Sequence, residues 1–87
     1  MTEHYCIITF NSTHTAIRTE QKLLAAGLKV RLIPVPTQIT AGCGLSLRFD
    51  EKDCTAISGL IPELSRKDFY RVEREGRVKR VTPFFNC

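Results

Sequence analysis

The sequence predicts an α+β fold in which two helices cover one face of an antiparallel sheet. Two segments with helical spacing of apolar residues lie among five segments that are rich in β-branched, aromatic or alternating apolar residues. The 87 residues, of which 43% are hydrophobic, are enough for one domain, residues 1–87, with one core. This size excludes a multidomain enzyme.

The first half of the chain begins with a strand and a helix. Residues 4–10 carry β-branched and aromatic side chains and are predicted to form the first strand. Asn11, Ser12 and Thr13 are N-cap candidates for the helix that follows, and Gly27 can end it in the left-handed conformation. The predicted apolar stripe of this helix consists of Ala16, Ile17, Leu23 and Leu24.

Two further strands follow, separated by a long loop. Residues 30–33 are predicted to form the second strand, which Pro34 should end because proline cannot donate to a central ladder. Residues 45–49 alternate strictly and predict a third strand with its leucines and Phe49 pointing inward. The loop 34–44 between them is longer than most hairpin connections, and such loops are often functional.

The last part of the chain predicts a second helix and a hairpin. Asp50 can cap a helix that continues to about residue 60, with a buried side formed by Cys54, Ile57 and either Leu60 or Ile61. Residues 69–74 are predicted to form a fourth strand, and the turn at Glu75-Gly76 leads to a fifth at 77–82. The element order is that of a ferredoxin-like β-α-β-β-α-β sandwich with an extra C-terminal strand.

This fold class predicts where the long loop lies. The expected strand order is 4-1-3-2, so the third strand runs antiparallel beside the first. The start of the third strand then lies beside the end of the first, where the first helix begins. We therefore expect Cys43, near the end of the loop, to face residues 11–14.

Cys43 is the candidate reactive residue of the sequence. Gly42 and Gly44 flank it, so other molecules can approach the sulfur closely. A helix start with His14 in its first turn would favour the thiolate, which is the reactive form. The alternative interpretation is a Gly-Cys-Gly turn around an inert cysteine.

The other three cysteines suggest different roles. Cys6 and Cys54 fall on predicted buried faces and are interpreted as packing residues. Cys87, the last residue, is either a candidate resolving thiol or a chain end without a role. The first residues lack the pattern of a signal peptide, and no apolar run is long enough to span a membrane, so we expect a cytoplasmic protein with reduced thiols.

Basic residues are concentrated near the C-terminus. Residues 1–65 hold six basic and six acidic side chains, whereas residues 66–80 hold seven basic and three acidic ones. This segment is either a surface charged for solubility or a site that docks an acidic partner. The candidate partner-binding residues are Arg66, Lys67, Arg71 and Arg74.

Several other classes of site find little support in the sequence. It has no metal-ligand spacing of cysteine or histidine, no phosphate-binding glycine loop and no nucleophile elbow, so no cofactor or metal is expected. RNA binding by the sheet would require a basic and aromatic run in a central strand. Residues 45–49 lack this run, and nucleic acid is therefore a disfavoured partner.

Two segments resemble a known family. The opening residues 5–16, and above all residues 33–49 with Pro-Val-Pro followed by Gly-Cys-Gly, resemble the small bacterial family named putative selenium/sulfur carrier protein-like. The resemblance extends over residues 4–74 and implies a cytosolic protein that holds sulfur or selenium on Cys43 as a persulfide or selenosulfide. Pro34 and Pro36 precede the cysteine by several residues, whereas established carriers have Cys-Pro-x-Pro.

The sequence thus favours a thiol-based carrier over a turnover enzyme. Its expected partners are a sulfur or selenium donor, such as a cysteine desulfurase, and an acceptor protein. The alternative is a non-catalytic regulatory or interaction module that forms a homodimer through its sheet. A third hypothesis is an anion or nucleic-acid binder that uses residues 66–80.

Overall fold

The computed structural model describes residues 2–39, 44–63 and 68–84. Its elements are β1 (Thr2–Thr9), α1 (Thr13–Ala25), β2 (Arg31–Pro34), β3 (Leu45–Phe49), a 3-10 turn (Glu51–Asp53), α2 (Cys54–Leu60), β4 (Phe69–Glu75) and β5 (Val78–Pro83). The five strands form one antiparallel sheet. The predicted α+β class is therefore confirmed.

The sheet has the order β2-β3-β1-β4-β5. Strand β3 runs antiparallel beside β1, with Cys6 opposite Phe49 and Thr9 opposite Ser46. The first four strands thus follow the order 4-1-3-2, and β5 extends the sheet beyond β4. The start of β3 and the end of β1 consequently lie at the same end of the sheet.

Helix α1 begins and ends as its sequence predicts. Ser12 is the N-cap, and its hydroxyl accepts a hydrogen bond from the Thr15 amide at 3.2 Å. At the other end Gly27 has a φ of +86°, and the Leu28 amide donates to the Leu23 carbonyl at 3.1 Å. This is the Schellman closure, which satisfies carbonyls at the end of the helix.

The buried stripe of α1 is narrower than predicted. Ala16 and Leu23 are fully buried, and Thr19 completes the stripe. Ile17 and Leu24, in contrast, are 41% and 49% exposed, so their predicted burial is wrong. Each lies one residue, and therefore about 100°, beyond the buried stripe on a helix that packs on β2 and β3.

The second helix starts later than predicted. Asp50 makes no side-chain capping bond, and the residues after it form a 3-10 turn closed by the Asp53 amide on the Asp50 carbonyl at 2.9 Å. The helix therefore begins only at Cys54. Its buried side consists of Cys54 and Ile57, followed by Ile61, whereas Leu60 is 39% exposed.

The main core lies between the helices and the sheet. The Phe49 and Phe69 rings meet edge to face at its centre, with centroids 6.1 Å apart and planes at 74°. Other side chains in this core are Cys6, Ile8, Phe10, Ala16, Leu23, Leu47, Cys54, Ile57 and Phe84.

A second, smaller cluster fills the opposite face of the sheet. Tyr5, Ile7 and Val72 are buried there, and Ile39 from the loop after β2 packs against them. Ser46 lies on this face as well and is fully buried, although the alternation in β3 predicts an outward position for it. Strand β1 is consequently buried on both of its faces.

The two edges of the sheet differ. At the β2 edge the Glu20 carboxylate of α1 accepts a hydrogen bond from the Leu32 amide at 3.1 Å, and Pro34 is part of the strand, where an edge tolerates proline. This edge is therefore protected against pairing. At the other edge β5 carries exposed side chains along most of its length.

Candidate functional site

The loop between β2 and β3 is held at both ends. The Val35 amide donates a hydrogen bond to the Gly44 carbonyl at 3.1 Å, which extends the pairing of Pro34 with Leu45. Gly44 is covalently bonded to Cys43, so the candidate cysteine is attached directly to a fixed point of the sheet. Gly42 and Cys43 themselves lie outside the described residues.

Gly44 is open to its surroundings. It is exposed, and a Cβ atom added to it would meet no other atom within 4 Å. Its φ is not positive, because among the described glycines only Gly27 and Gly76 adopt positive φ. The expected benefit of Gly44 is therefore steric access rather than an unusual backbone conformation.

The first half of the loop folds onto the sheet. The Ile39 amide donates to the carbonyl of the buried Pro36 at 3.0 Å, and the Ile39 side chain packs on the second apolar cluster. The Gln38 side-chain amide donates to the Lys79 carbonyl of β5 at 3.2 Å. Sequence reasoning missed these anchors, although Ile39 was a detectable signal as a large apolar residue between the polar Gln38 and Thr40.

The start of α1 lies at the same end of the sheet as Gly44. The register pairs Thr9 with Ser46, so the chain that leaves β1 passes the chain that enters β3. His14 is exposed in the first turn of α1. Gly44 thus lies at the end of the sheet where Cys43 is expected to face residues 11–14. Cys43 itself lies outside the described residues, so this expectation stays a prediction.

Cys6 is a buried thiol of low reactivity. It is fully buried in the main core, in agreement with its interpretation as a packing residue. The pKa of Cys6 is raised to about 11, chiefly by burial and also by the negative charges of Glu51 and Asp50, whereas Arg71 acts in the opposite direction. The thiolate of Cys6 is therefore scarce at neutral pH.

The raised pKa of Cys6 predicts a pH dependence of stability. The folded protein holds this proton more tightly than the unfolded chain, whose cysteine has a pKa of 9.0. The resulting stabilisation is fully present below pH 9.0 and is lost as the pH rises toward about 11. Urea unfolding of the parent and of Cys6→Ala should show a steeper loss of stability for the parent across this window. Equal slopes would contradict the prediction.

Cys54 does not have the predicted state. It is buried in the main core, as its interpretation as a packing residue predicts, but it is disulfide-bonded, so the expectation of a reduced thiol at this position is wrong. Cys6 is free, and the chain has four cysteines, so the partner is Cys43 or Cys87. Both of these residues lie outside the described ranges. Reduced thiols were predicted from the expected cytoplasmic location alone, whereas disulfide formation also depends on which cysteines lie close together in the fold.

The candidate partner-binding arginines have local contacts. The guanidinium of Arg71 lies 3.3 Å from the Glu51 carboxylate and 3.5 Å from that of Glu73. Arg74 is exposed and donates to the Gly76 carbonyl at 3.3 Å. Arg66 and Lys67 lie outside the described residues.

Within residues 2–39, 44–63 and 68–84, no group of three or more His, Cys, Asp or Glu side chains is arranged to hold a metal ion. In the same ranges no helix is both long and apolar enough to cross a membrane.

Comparison with known proteins identifies the family. Residues 5–70 match the model of the family described as Putative Se/S carrier protein-like. The chain belongs to this family. The match includes most of β1, both helices, β2, the loop with Cys43 and β3, and it ends at the start of β4. No curated protein and no solved structure matches the chain significantly.

Proposed function

We propose that this member of the Se/S carrier-like family holds sulfur or selenium on Cys43 and passes it to an acceptor protein. The observation that carries the proposal is the state of the two described cysteines. Cys6 is buried with a raised pKa, and Cys54 is disulfide-bonded, so neither offers a free surface thiol. Family membership together with this elimination points to Cys43 or Cys87. Only Cys43 lies within the matched residues.

The chemistry needs no external oxidant or reductant. The Cys43 thiolate attacks the terminal sulfur of a donor persulfide, a new S–S bond forms at Cys43, and the donor thiolate leaves. An acceptor thiolate then attacks the terminal sulfur held on Cys43 and restores the Cys43 thiolate. Each step transfers one sulfur atom at the zero oxidation level, and a selenium atom follows the same course.

The surroundings of the loop suit this exchange. An attacking and a leaving sulfur must lie in line with the one that moves, which requires space on the side of Cys43 that faces solvent. Gly44 provides such space, and Gly42 is proposed to do the same on the other side. We assign the start of α1 and His14 the role of stabilising the anion, since a helix N-terminus favours negative charge.

The proposal requires Cys43 to be the free cysteine, and hence Cys54 to be bonded to Cys87. The geometry of β3 supports this assignment. Its five residues separate Gly44 from the turn before α2 by about 17 Å, whereas the Cα atoms of a disulfide lie within about 7 Å of each other. Phe84, three residues before Cys87, packs in the same core as Cys54.

Peptide mapping without reductant tests this linkage. We expect a crosslinked peptide that contains Cys54 and Cys87, and an alkylated peptide that contains Cys43. A crosslink between Cys43 and Cys54 would mean that the carrier thiol is blocked until it is reduced. It would also leave Cys87 free and contradict the assignment made here.

Transfer of labelled sulfur tests the function itself. The protein, purified without reductant so that the disulfide of Cys54 stays intact, is incubated with a cysteine desulfurase and sulfur-labelled cysteine, and its intact mass is measured. We expect one additional sulfur atom, located on Cys43 by peptide mapping and removable by dithiothreitol. Addition of label to a residue other than Cys43 would refute the proposed site.

Two observations weigh against a homodimer through the sheet face and against RNA stacking on that face. A homodimer formed through the sheet would need apolar surface, yet Tyr5, Ile7 and Val72 on the face away from the helices are at most 6% exposed. RNA binding by stacking would need accessible rings on this face. The Tyr5 ring is instead covered by the Arg48 guanidinium, which lies 4.0 Å from its centroid.

A further inference from the structure

A carrier must dock its partners, and β5 is the part of the described surface that is best suited to this. It lies at the edge of the sheet. Lys79 and Arg80 in this strand, and Arg77 directly before it, are exposed cations. None of the three forms an ion pair with another described residue. Val78 at the start of the strand is 59% exposed and adds an apolar contact.

The direction of the backbone groups of β5 follows from two hydrogen bonds. The Phe84 amide donates to the Phe69 carbonyl at 3.0 Å, so every second amide before it, at Thr82 and Arg80, also faces β4. The backbone amide and carbonyl groups of Lys79 and Val81 therefore face away from β4. The bond from Gln38 to the Lys79 carbonyl agrees with this alternation.

The charges beside this edge favour an acidic occupant, although Glu73 of β4 lies directly opposite Arg80. The cations Arg74, Arg77, Lys79 and Arg80 outnumber the two carboxylates of the hairpin, Glu73 and Glu75. Arg74 of β4 lies directly opposite Lys79, and like charges at opposite positions of an antiparallel pair are destabilising. A carboxylate placed between them would relieve this repulsion. A second copy of the chain would instead bring the same cations against each other, which disfavours edge-to-edge dimerisation.

We propose that an extended acidic segment of a partner protein docks on β5 by strand addition. Its backbone would pair with the outward amides of Lys79 and Val81, and its carboxylates would contact Arg77, Lys79 and Arg80. Because Gln38 of the carrier loop bonds the same strand, a partner docked there lies beside the loop that leads to Cys43. The inference rests on the proposed carrier function for its biological meaning.

The test uses 15N-labelled Cys43→Ser protein, so that binding is measured independently of sulfur transfer. It is titrated with a hexapeptide of alternating glutamate and valine, and with a matched peptide of lysine and valine. We expect the acidic peptide to slow hydrogen exchange at the Lys79 and Val81 amides by about tenfold, and to leave the Arg80 and Thr82 amides unchanged. The basic peptide should have no effect.

A pair of charge reversals separates local docking from the effect of net charge. Lys79→Glu should weaken binding of the acidic peptide by about tenfold, whereas Arg18→Glu, on the exposed side of α1, should leave it nearly unchanged. Arg80→Glu provides a second variant at the same edge. The proposal fails if both peptides bind equally well, or if Arg18→Glu weakens binding of the acidic peptide as much as Lys79→Glu does. It also fails if the Lys79 and Val81 amides are protected from hydrogen exchange by self-association without any peptide, or more strongly by single-stranded RNA than by the acidic peptide. If binding holds and Cys43 accepts no sulfur, only the carrier function fails.

Discussion

Replacement of Cys43 by serine is expected to abolish the transfer of labelled sulfur to this protein. A serine hydroxyl is not ionised near neutral pH and cannot hold a sulfur atom as a persulfide. The other cysteines cannot compensate, because Cys6 is buried and Cys54 is disulfide-bonded. The measurement is intact mass and retained label after incubation with a cysteine desulfurase and labelled cysteine.

The matched control for this experiment is Cys6→Ala. It removes a cysteine that is fully buried, so loading should equal that of the parent once the variant is shown to be folded. Cys87→Ser provides a second comparison: it removes the proposed partner of Cys54, which is itself buried, so loading of Cys43 should stay unchanged. Full loading of Cys43→Ser would remove the basis of the carrier proposal.

The second large effect is expected for stability and concerns two adjacent leucines of α1. Leu23 is fully buried in the main core, whereas Leu24 is 49% exposed. Leu23→Ala should lower the free energy of unfolding by about 2–5 kcal/mol, since it removes buried apolar atoms and leaves a cavity. Leu24→Ala should change it by no more than about 0.5 kcal/mol.

These two variants control for each other. The chemical change is the same, both positions lie in the last turns of one helix, and the effect of helix propensity is therefore nearly equal. Urea denaturation followed by far-UV circular dichroism gives both free energies. Equal losses for the two variants would mean that α1 packs with a wider stripe than the structure shows.

The contacts around the loop between β2 and β3 link the two proposals. One end of the loop is fixed by the bond from Val35 to Gly44, and its middle is held by Ile39 in the second cluster and by Gln38 on β5. The candidate thiol is therefore attached to a segment that also contacts the proposed docking strand.

Much of the fold could be predicted from local patterns. The strict alternation of residues 45–49 gave the bounds of β3, and Ser12 and Gly27 marked the ends of α1, because capping depends on a few neighbouring residues. The same reasoning wrongly predicted that Asp50 caps the second helix. A capping residue type is necessary for a capping bond, but a 3-10 turn follows Asp50 in the fold and its side chain makes no such bond.

The candidate site could be predicted only in part. Gly-Cys-Gly in a long loop and the family resemblance both singled out Cys43 from the sequence, and the family match now includes that residue. The disulfide at Cys54 and the anchors at Gln38 and Ile39 were not predictable in this way. They join positions far apart in the chain, and no local pattern records which distant residues meet.

The sequence by itself determined the order of helices and strands, the ends of α1, and the position of a cysteine between two glycines. Only the tertiary structure decided that both faces of β1 are buried, that Cys54 is disulfide-bonded, and that Glu20 bonds the β2 edge of the sheet while Gln38 of the loop bonds the β5 edge. The reason is physical. Caps, turns and periodicity act over a few residues, whereas burial, the raised pKa of a thiol and the pairing of an edge depend on what the rest of the chain places beside them.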